Sequence, residues 1–440
     1  MISPLKCVIL YLQLILNGEI DMAKYYHRYV EKTIEKKLRS AGAVVLEGPK
    51  FCGKTTTALR YAESSIRLNT AQMIELAKME TKNVLNGKTP RVIDEWQTVP
   101  DIWNEVKGWI DENPAFGQFI LTGSSTPADK SKIYHSGAGR IAKIKMRPMS
   151  LSESEDSTGI VSLGRLFTGD DVTVFHENRG VGLEKVAMLI CRGGWPLAVA
   201  AGEDIALDVT KNYYEGLFNF EYSENEKFRN KKPELLRMIL RSYARHISTQ
   251  TPLKTILSDV ESANNRTLDP KTLDEYLDAL RDLFIIEEME AWNPNLRSKA
   301  AVRTTPTRHF VDTSIATAVL GITPNDLMHD LNSFGLFFED MVVRDLTIYA
   351  ALLDGEVKHY RDSSGLECDA IIHLANGQWA AIEIKLGGER LLEEGVKNLT
   401  KLRKVVDESR MAFQMILTAT GPSYRRPDGI YVVPIHCLTA

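Results

Sequence analysis

Apolar residues fall into three regimes along the chain. In the first third they form short unbroken runs, Ala43 to Leu46, Val92-Ile93 and Phe119 to Leu121, each ending where the sequence turns polar. Helical stretches lie around them, over 58–63, 71–82 and 102–111. Strands and helices in alternation predict a parallel sheet flanked by helices. From Lys231 to about Ile286 the spacing is helical. Leu235, Met238, Ile239 and Tyr243 share one face, and Leu273, Tyr276, Leu277, Leu280 and Leu283 another. Asp269-Pro270 supplies a capping carboxylate and a first-turn proline. The β-like FIIEEMEAW follows. The third regime is an amphipathic helix from Gly335 to Leu346, then two apolar strands flanking Asn376-Gly377, a hairpin signal.

Composition narrows the class. Charged residues at 25% and hydrophobic ones at 44% are ordinary for a soluble globular protein, and 440 residues allow two or three domains. A net charge of −4 excludes a global basic field, so a nucleic-acid surface has to be a local patch. The cysteines (Cys7, Cys52, Cys191, Cys368 and Cys437) include no C-x-x-C pair, which fits a reducing cytoplasm and neither a disulfide framework nor a zinc site. The apolar run Cys7 to Leu16 is too short to span a membrane as a helix, and no small-x-small cleavage site follows it. Met22 opens a cytoplasmic-type start, and Gly18-Glu19 can be encoded by a GGAGA-like ribosome-binding sequence. Residues 1–21 are read as an untranslated leader, with an N-terminal helix as the other reading.

The first apolar run leads into Gly48-Pro49-Lys50-Phe51-Cys52-Gly53-Lys54-Thr55, followed by Thr56. This is the G-x-x-x-x-G-K-T phosphate-loop spacing. Glycines let backbone N–H groups converge on phosphate oxygens, the lysine reaches the β/γ-phosphates and the hydroxyl ligates Mg²⁺. A strand before the loop and a helix start after it complete the anion site. ATP and Mg²⁺ are the expected ligands, with Cys52 a tolerated variable position. Asp94, closing the second apolar run, is expected to hold Mg²⁺ through water, and Glu95 to polarise the attacking water. An exposed acidic pair at a strand end is the alternative. Thr122, Ser124 and Ser125 follow the third run, at the strand end where α/β sheets place ligand groups.

GPKFCGKTT, VIDEWQTVP, FILTGSS and GRIAKIKMRPMSLSE together resemble the ATP-binding proteins of the AAA+ superfamily common in bacteria and archaea. The similarity runs over most of the chain from about Met22, and similar members carry an uncharacterised C-terminal half. The resemblance implies Arg140 as an arginine acting in trans or in cis on the nucleotide, against a plain surface arginine. RGGWP (Arg192 to Pro196) is similar to the Gly-Gly-aromatic-Pro element that closes the helical lid, and is read as structural. The resemblance also implies a winged helix after the lid. Its candidate recognition helix shows Asp274, Glu275, Asp278 and Asp282 against Lys271 and Arg281, a face that repels phosphate. Basic residues come later, at Arg297, Lys299, Arg303 and Arg308.

Near the C-terminus Asp369 opens the first hairpin strand, and Glu383 and Lys385 close the second on one face. A two-residue turn would point Asp369 away from Glu383. A three-residue turn, Ala375 to Gly377 with Gly377 left-handed, sets them opposite and pairs Ala370 with Ile382. Two carboxylates and a lysine suit a Mg²⁺-dependent phosphodiesterase. The set resembles the D…E-x-K signature of restriction-endonuclease-like folds, with Glu339 matching that fold's first-helix acid. Asp369 and Glu383 are then metal ligands, and Glu339, Asp369, Glu383 and Lys385 the catalytic set. The alternative is a structural ion-pair cluster in an inactive relic, with Arg361 a nearby arginine to fill it.

The division expected is a leader over 1–21, a phosphate-loop ATPase with helical lid over 22–225, a winged-helix-like unit over 226–315 and a restriction-endonuclease-like unit over 316–440. Three functions stay open. One is an ATPase coupled to a nuclease-like domain acting on DNA or RNA. Another is a nucleotide switch whose inactive C-terminal domain only binds a protein partner or nucleic acid. The third is a nucleotide-binding scaffold with no nuclease role. Oligomeric state is open, and no membrane contact is expected.

Overall fold

The computed structural model describes residues 24–124, 137–170, 181–218, 231–293 and 305–440. Helix α1 (Val30–Leu38) leads to β1 (Ala43–Glu47), α2 (Lys54–Leu59), β2 (Ser64–Arg67), α3 (Ala71–Met79), β3 (Arg91–Asp94), α4 (Ile102–Glu112), β4 (Phe119–Gly123) and β5 (Ile141–Lys145). The five strands are all parallel, in the order β2-β3-β4-β1-β5. The expected mixed α/β architecture with a parallel sheet is present. Alternate residues explain the unbroken runs. Val44, Leu46, Val92 and Ile120 enter one core, and Ala43, Val45, Ile93, Phe119 and Leu121 the other, on the opposite face. The first helix begins four residues before its expected start, at Lys54, and stops at Leu59. The second stops at Met79 and continues as a 3₁₀ segment over Thr81–Leu85.

After β6 (Val161–Ser162) and α5 (Leu163–Thr168) come α6 (Leu183–Arg192), α7 (Pro196–Ala200) and α8 (Glu203–Gly216). Then follow α9 (Pro233–Arg245), α10 (Leu253–Asn264), α11 (Pro270–Asp282) and the antiparallel pair β7 (Ile286–Met289) and β8 (Thr307–Phe310). The Asp269 carboxylate accepts from the Lys271 N–H, and Pro270 occupies the first turn of α11. Asp274, Glu275 and Asp278 are exposed on that helix, as its pattern predicts. Helices α12 (Thr313–Leu320) and α13 (Pro324–His329) return to pack on α6.

Helix α14 (Leu331–Leu352) leads into a second sheet. Its elements are β9 (Gly355–Arg361), β10 (Glu367–Leu374), β11 (Trp379–Lys385), helix α15 (Glu389–Val405), β12 (Met411–Thr418), β13 (Tyr424–Arg425) and β14 (Tyr431–Pro434), in the order β13-β14-β12-β11-β10-β9. The last strand, β15 (Leu438–Thr439), pairs in parallel with β6 and ties the C-terminal residues to the first half.

Two charged joints hold the parts together. Glu287 of β7 accepts from Arg147 at 2.8 Å and from Lys145, both at the β5 edge. Burial raises the Glu287 pKa, but the two cations outweigh it and hold the carboxyl down to about 2. At the second joint Asp345 of α14 accepts the Leu151 N–H at 2.9 Å, and Arg344 reaches Asp312 at 2.8 Å. Among the described residues no helix is long and apolar enough to cross a membrane.

Candidate functional site

The loop between β1 and α2 is closed on itself. Gly48 has φ 158°, and a Cβ there would lie 2.0 Å from the Met146 carbonyl oxygen. Gly53 is left-handed at φ 101°. Lys54, only 5% exposed, donates to the carbonyl oxygens of Gly48 at 2.9 Å and Pro49 at 2.7 Å. Pro49 and Cys52 are buried, and Lys50, Phe51 and Thr56 are exposed. Phe51 is 76% exposed, and its ring makes an edge contact with Tyr213 of α8, which in turn lies 4.2 Å from Trp195. Trp195 is packed as its motif predicts, with the indole N–H on the Ser314 hydroxyl at 3.0 Å.

The C-terminal ends of β3 and β4 meet this loop. Thr55 Oγ1 donates to Asp94 Oδ1 at 2.8 Å, and the buried Thr122 hydroxyl donates to the same oxygen. Glu95, next in sequence, takes a left-handed backbone at φ 60° as the chain leaves β3. Its Oε2 accepts from Gln97 Nε2 and from Ser124 Oγ at 3.4 Å. Gln97 is the residue the sequence reading missed. It has no motif of its own, and its only signal is a place two residues after Glu95 in the turn that follows the strand. The structure thus brings together the loop, Asp94, Glu95, Thr122 and Ser124, while Ser125 lies outside the described residues.

Arg140 is not part of this group. It precedes β5 at the N-terminal end of the sheet, the end opposite the loop, and pairs with Asp111 at 2.8 Å. A strand of five residues, Ala43–Glu47, separates that end from the loop, so an in-cis contact with a nucleotide there is corrected. Arg308 is corrected as a basic surface residue. It is buried and donates to Glu288 at 2.8 Å and to the Thr251 carbonyl at 2.9 Å. Arg297, Lys299 and Arg303 lie outside the described residues.

The second group stands on the C-terminal hairpin. Its turn has three residues, with Gly377 left-handed at φ 85° and Ala370 paired with Ile382. This is the register that sets Asp369 and Glu383 opposite each other. Lys385 bridges them, at 3.0 Å from Asp369 Oδ2 and 2.9 Å from Glu383 Oε2. Asp369 Oδ2 also accepts the Ile384 N–H at 2.7 Å. Glu383 is 0% exposed, its Oε2 accepts from Asn398 Nδ2 at 3.3 Å, and its Oε1 is a buried oxygen without a partner. Burial and then the Asp369 charge push its carboxyl up to about 8, against the pull of Lys385 and Asn398. Burial lowers Lys385, but Asp369 and Glu383 outweigh that and raise it. Glu339 on α14 joins the group electrostatically: burial, then Asp369, hold it well above the usual carboxylate range. Arg361 does not fill the site. It turns to Glu367 at 3.6 Å. Among the described residues no set of three or more His, Cys, Asp or Glu is arranged as a ready metal cage.

Residues 40–155 match the family described as an AAA domain. Residues 183–326 and 334–438 match two domains of unknown function, DUF8612 and DUF4143. Uncharacterized proteins of Mycobacterium bovis and Mycobacterium tuberculosis are each 21% identical over 356 residues, covering 80% of this chain and 72% of the relative. Among solved structures, the Walker-type ATPase of Pyrococcus abyssi aligns with 15% identity and a TM-score of 0.44, over 69% of this chain and 98% of that one. The match over 40–155 supports an AAA-like phosphate-loop ATPase domain built on the parallel sheet.

Proposed function

We propose that this chain is a Mg²⁺-dependent ATPase coupled to a C-terminal metal-dependent phosphodiesterase acting on nucleic acid. The observation that carries the first half is the convergence of the Thr55 and Thr122 hydroxyls on one carboxylate oxygen of Asp94, beneath a loop that already holds Lys54. Lys54 exchanges two neutral carbonyls for the β/γ-phosphates, a stronger charge-assisted contact. The Thr55 hydroxyl and Asp94 fit an octahedral, partly hydrated Mg²⁺, which would offset phosphate charge. Glu95, oriented by Gln97 and Ser124, accepts the proton of the attacking water. Arg140 acts on a nucleotide only from a neighbouring chain.

The second half rests on Asp369, Glu383 and Lys385 sharing one face, with Glu339 nearby. The donor set fits a hard divalent cation, because Glu383 Oε1 is buried and unpartnered and the raised carboxyls gain from a cation. When bound, the metal supplies charge neutralisation and an activated water. Lys385 then turns from the carboxylates to the scissile phosphate. One observation favours the second reading, a nucleotide switch with an inactive partner-binding domain: Lys385 already bridges both acids. Incubating the purified protein with plasmid, single-stranded DNA and RNA, with Mg²⁺ or Mn²⁺ and ATP, separates the two. Cleavage that Asp369→Ala and Lys385→Ala abolish supports the phosphodiesterase. Intact substrates under every condition leave the switch.

A further inference from the structure

Helix α15 crosses the face of β11 that carries Glu383. A Cβ on Gly395 would meet the Glu383 Cβ at 3.5 Å, and Asn398 donates to the Glu383 carboxylate. The same Asn398 lines a cleft of about 400 Å³, whose other walls are the Ser364–Leu366 turn and the side chains of Lys401, Lys404 and Val405. Lys397, one turn before Lys401, lies beyond the cleft on the same helix. Separations of four and three residues stack the three lysines on one side of the helix.

All three are exposed, and none is ion-paired with a described residue. Attraction of cations to a helix C-terminus accounts for Lys404 in the last turn, but not for Lys397 and Lys401 farther in. Of the nearby acids, Glu393 is held by Arg426 at 3.1 Å, and Glu394 marks the N-terminal end of the lysine row. The row spans seven residues, roughly 10 Å at about 1.5 Å per residue. One strand of a duplex carries a phosphate about every 3.4 Å of axis, so three lysines face about three consecutive phosphates.

We infer that the lysine face of α15 and the cleft beside it bind the phosphodiester backbone of a polynucleotide and lead it to Asp369 and Glu383. This rests on the phosphodiesterase reading of that pair. Among the described residues, α11 shows an acidic face that repels phosphate, whereas α15 shows a local basic patch of the kind a nucleic-acid surface needs on a chain of net charge −4.

The test titrates full-length protein, in chelator to prevent turnover, with fluorescent single-stranded and duplex oligonucleotides of DNA and of RNA across a salt series. It is repeated with Lys397→Ala/Lys401→Ala/Lys404→Ala and with the corresponding triple arginine variant. Circular dichroism checks that each is folded. Each phosphate contact contributes about 0.7–0.9 to the slope of log K against log salt. The alanine variant is expected to lose about 2–3 from that slope, and the arginine variant to keep it. An unchanged slope in the alanine variant, or no binding of any oligonucleotide by the parent protein, overturns the inference. If the slope responds to the lysines but Mg²⁺ brings no cleavage, the surface stands and the phosphodiesterase reading falls.

Discussion

The loop after β1 and the hairpin of the second sheet each place one lysine among oxygens, and they satisfy it in opposite ways. Lys54 rests on two backbone carbonyls, neutral acceptors that a phosphate readily replaces. Lys385 rests on two carboxylates, one of them fully buried. Moving Lys54 exposes nothing charged. Moving Lys385 leaves Asp369 and the buried Glu383 facing each other without a cation, so Glu383 has to keep a proton until another cation arrives. The first site is poised for an anionic ligand. The second is closed by its own cation, which on the proposed reading a metal would displace.

The largest effect that sharpens this contrast is at Glu95. Glu95→Gln keeps the shape of the side chain but cannot accept a proton, so ATP hydrolysis should fall by about 10²–10⁴-fold with ATP affinity retained. Phosphate release at the wild-type rate would remove Glu95 from the mechanism.

At the second site, Lys385→Ala should cost about 3–5 kcal/mol in metal-free urea unfolding above about pH 8, where Glu383 is ionised in the parent and one partner of a buried ion pair is gone. Adding Glu383→Gln should recover most of the loss. A stability equal to that of the parent would mean that Lys385 does not close the site.

The joint between β5 and β7 offers a smaller effect with a defined sign. Glu287 has a folded pKa depressed to about 2, below that of an unfolded glutamate. Its pair with Arg147 and Lys145 therefore stabilises fully above about pH 4.3, and the contribution is lost as pH falls through 2. Glu287→Gln should remove about 2–3 kcal/mol at pH 7 and flatten the acid limb of the stability curve. Parallel acid limbs in the two proteins would contradict the assignment. The smallest effect is expected at Gln97. Gln97→Ala frees the Glu95 carboxylate, and hydrolysis should drop by about tenfold, at the low end of what a misaligned base loses. ATP affinity, read by calorimetry, should not move.

How much was legible in the sequence follows burial. Strands β1, β3 and β4 lie inside the sheet with apolar side chains on both faces, so they read as unbroken runs. The edge strands β2 and β5, SSIR and IAKIK, mix exposed residues with half-buried or buried ones and gave no strand signal. The loop residues and the hairpin acids were legible because spacing fixes them: four residues between glycines in one case, the parity of a turn in the other. Contacts made by residues far apart in sequence were not. Nothing local announces that Gln97 holds Glu95, that Asn398 holds Glu383, or that Arg140 sits at the wrong end of the sheet.

The central claim is that the Gly48–Thr55 loop holds ATP through Lys54, and one titration tests it. Mg²⁺-ATP is titrated calorimetrically into the wild-type protein and into Lys54→Ala. A charge-assisted contact to phosphate is worth about 1.5–3 kcal/mol, so the variant should bind about 10–100-fold more weakly. Equal affinity of the two proteins for Mg²⁺-ATP would contradict the account.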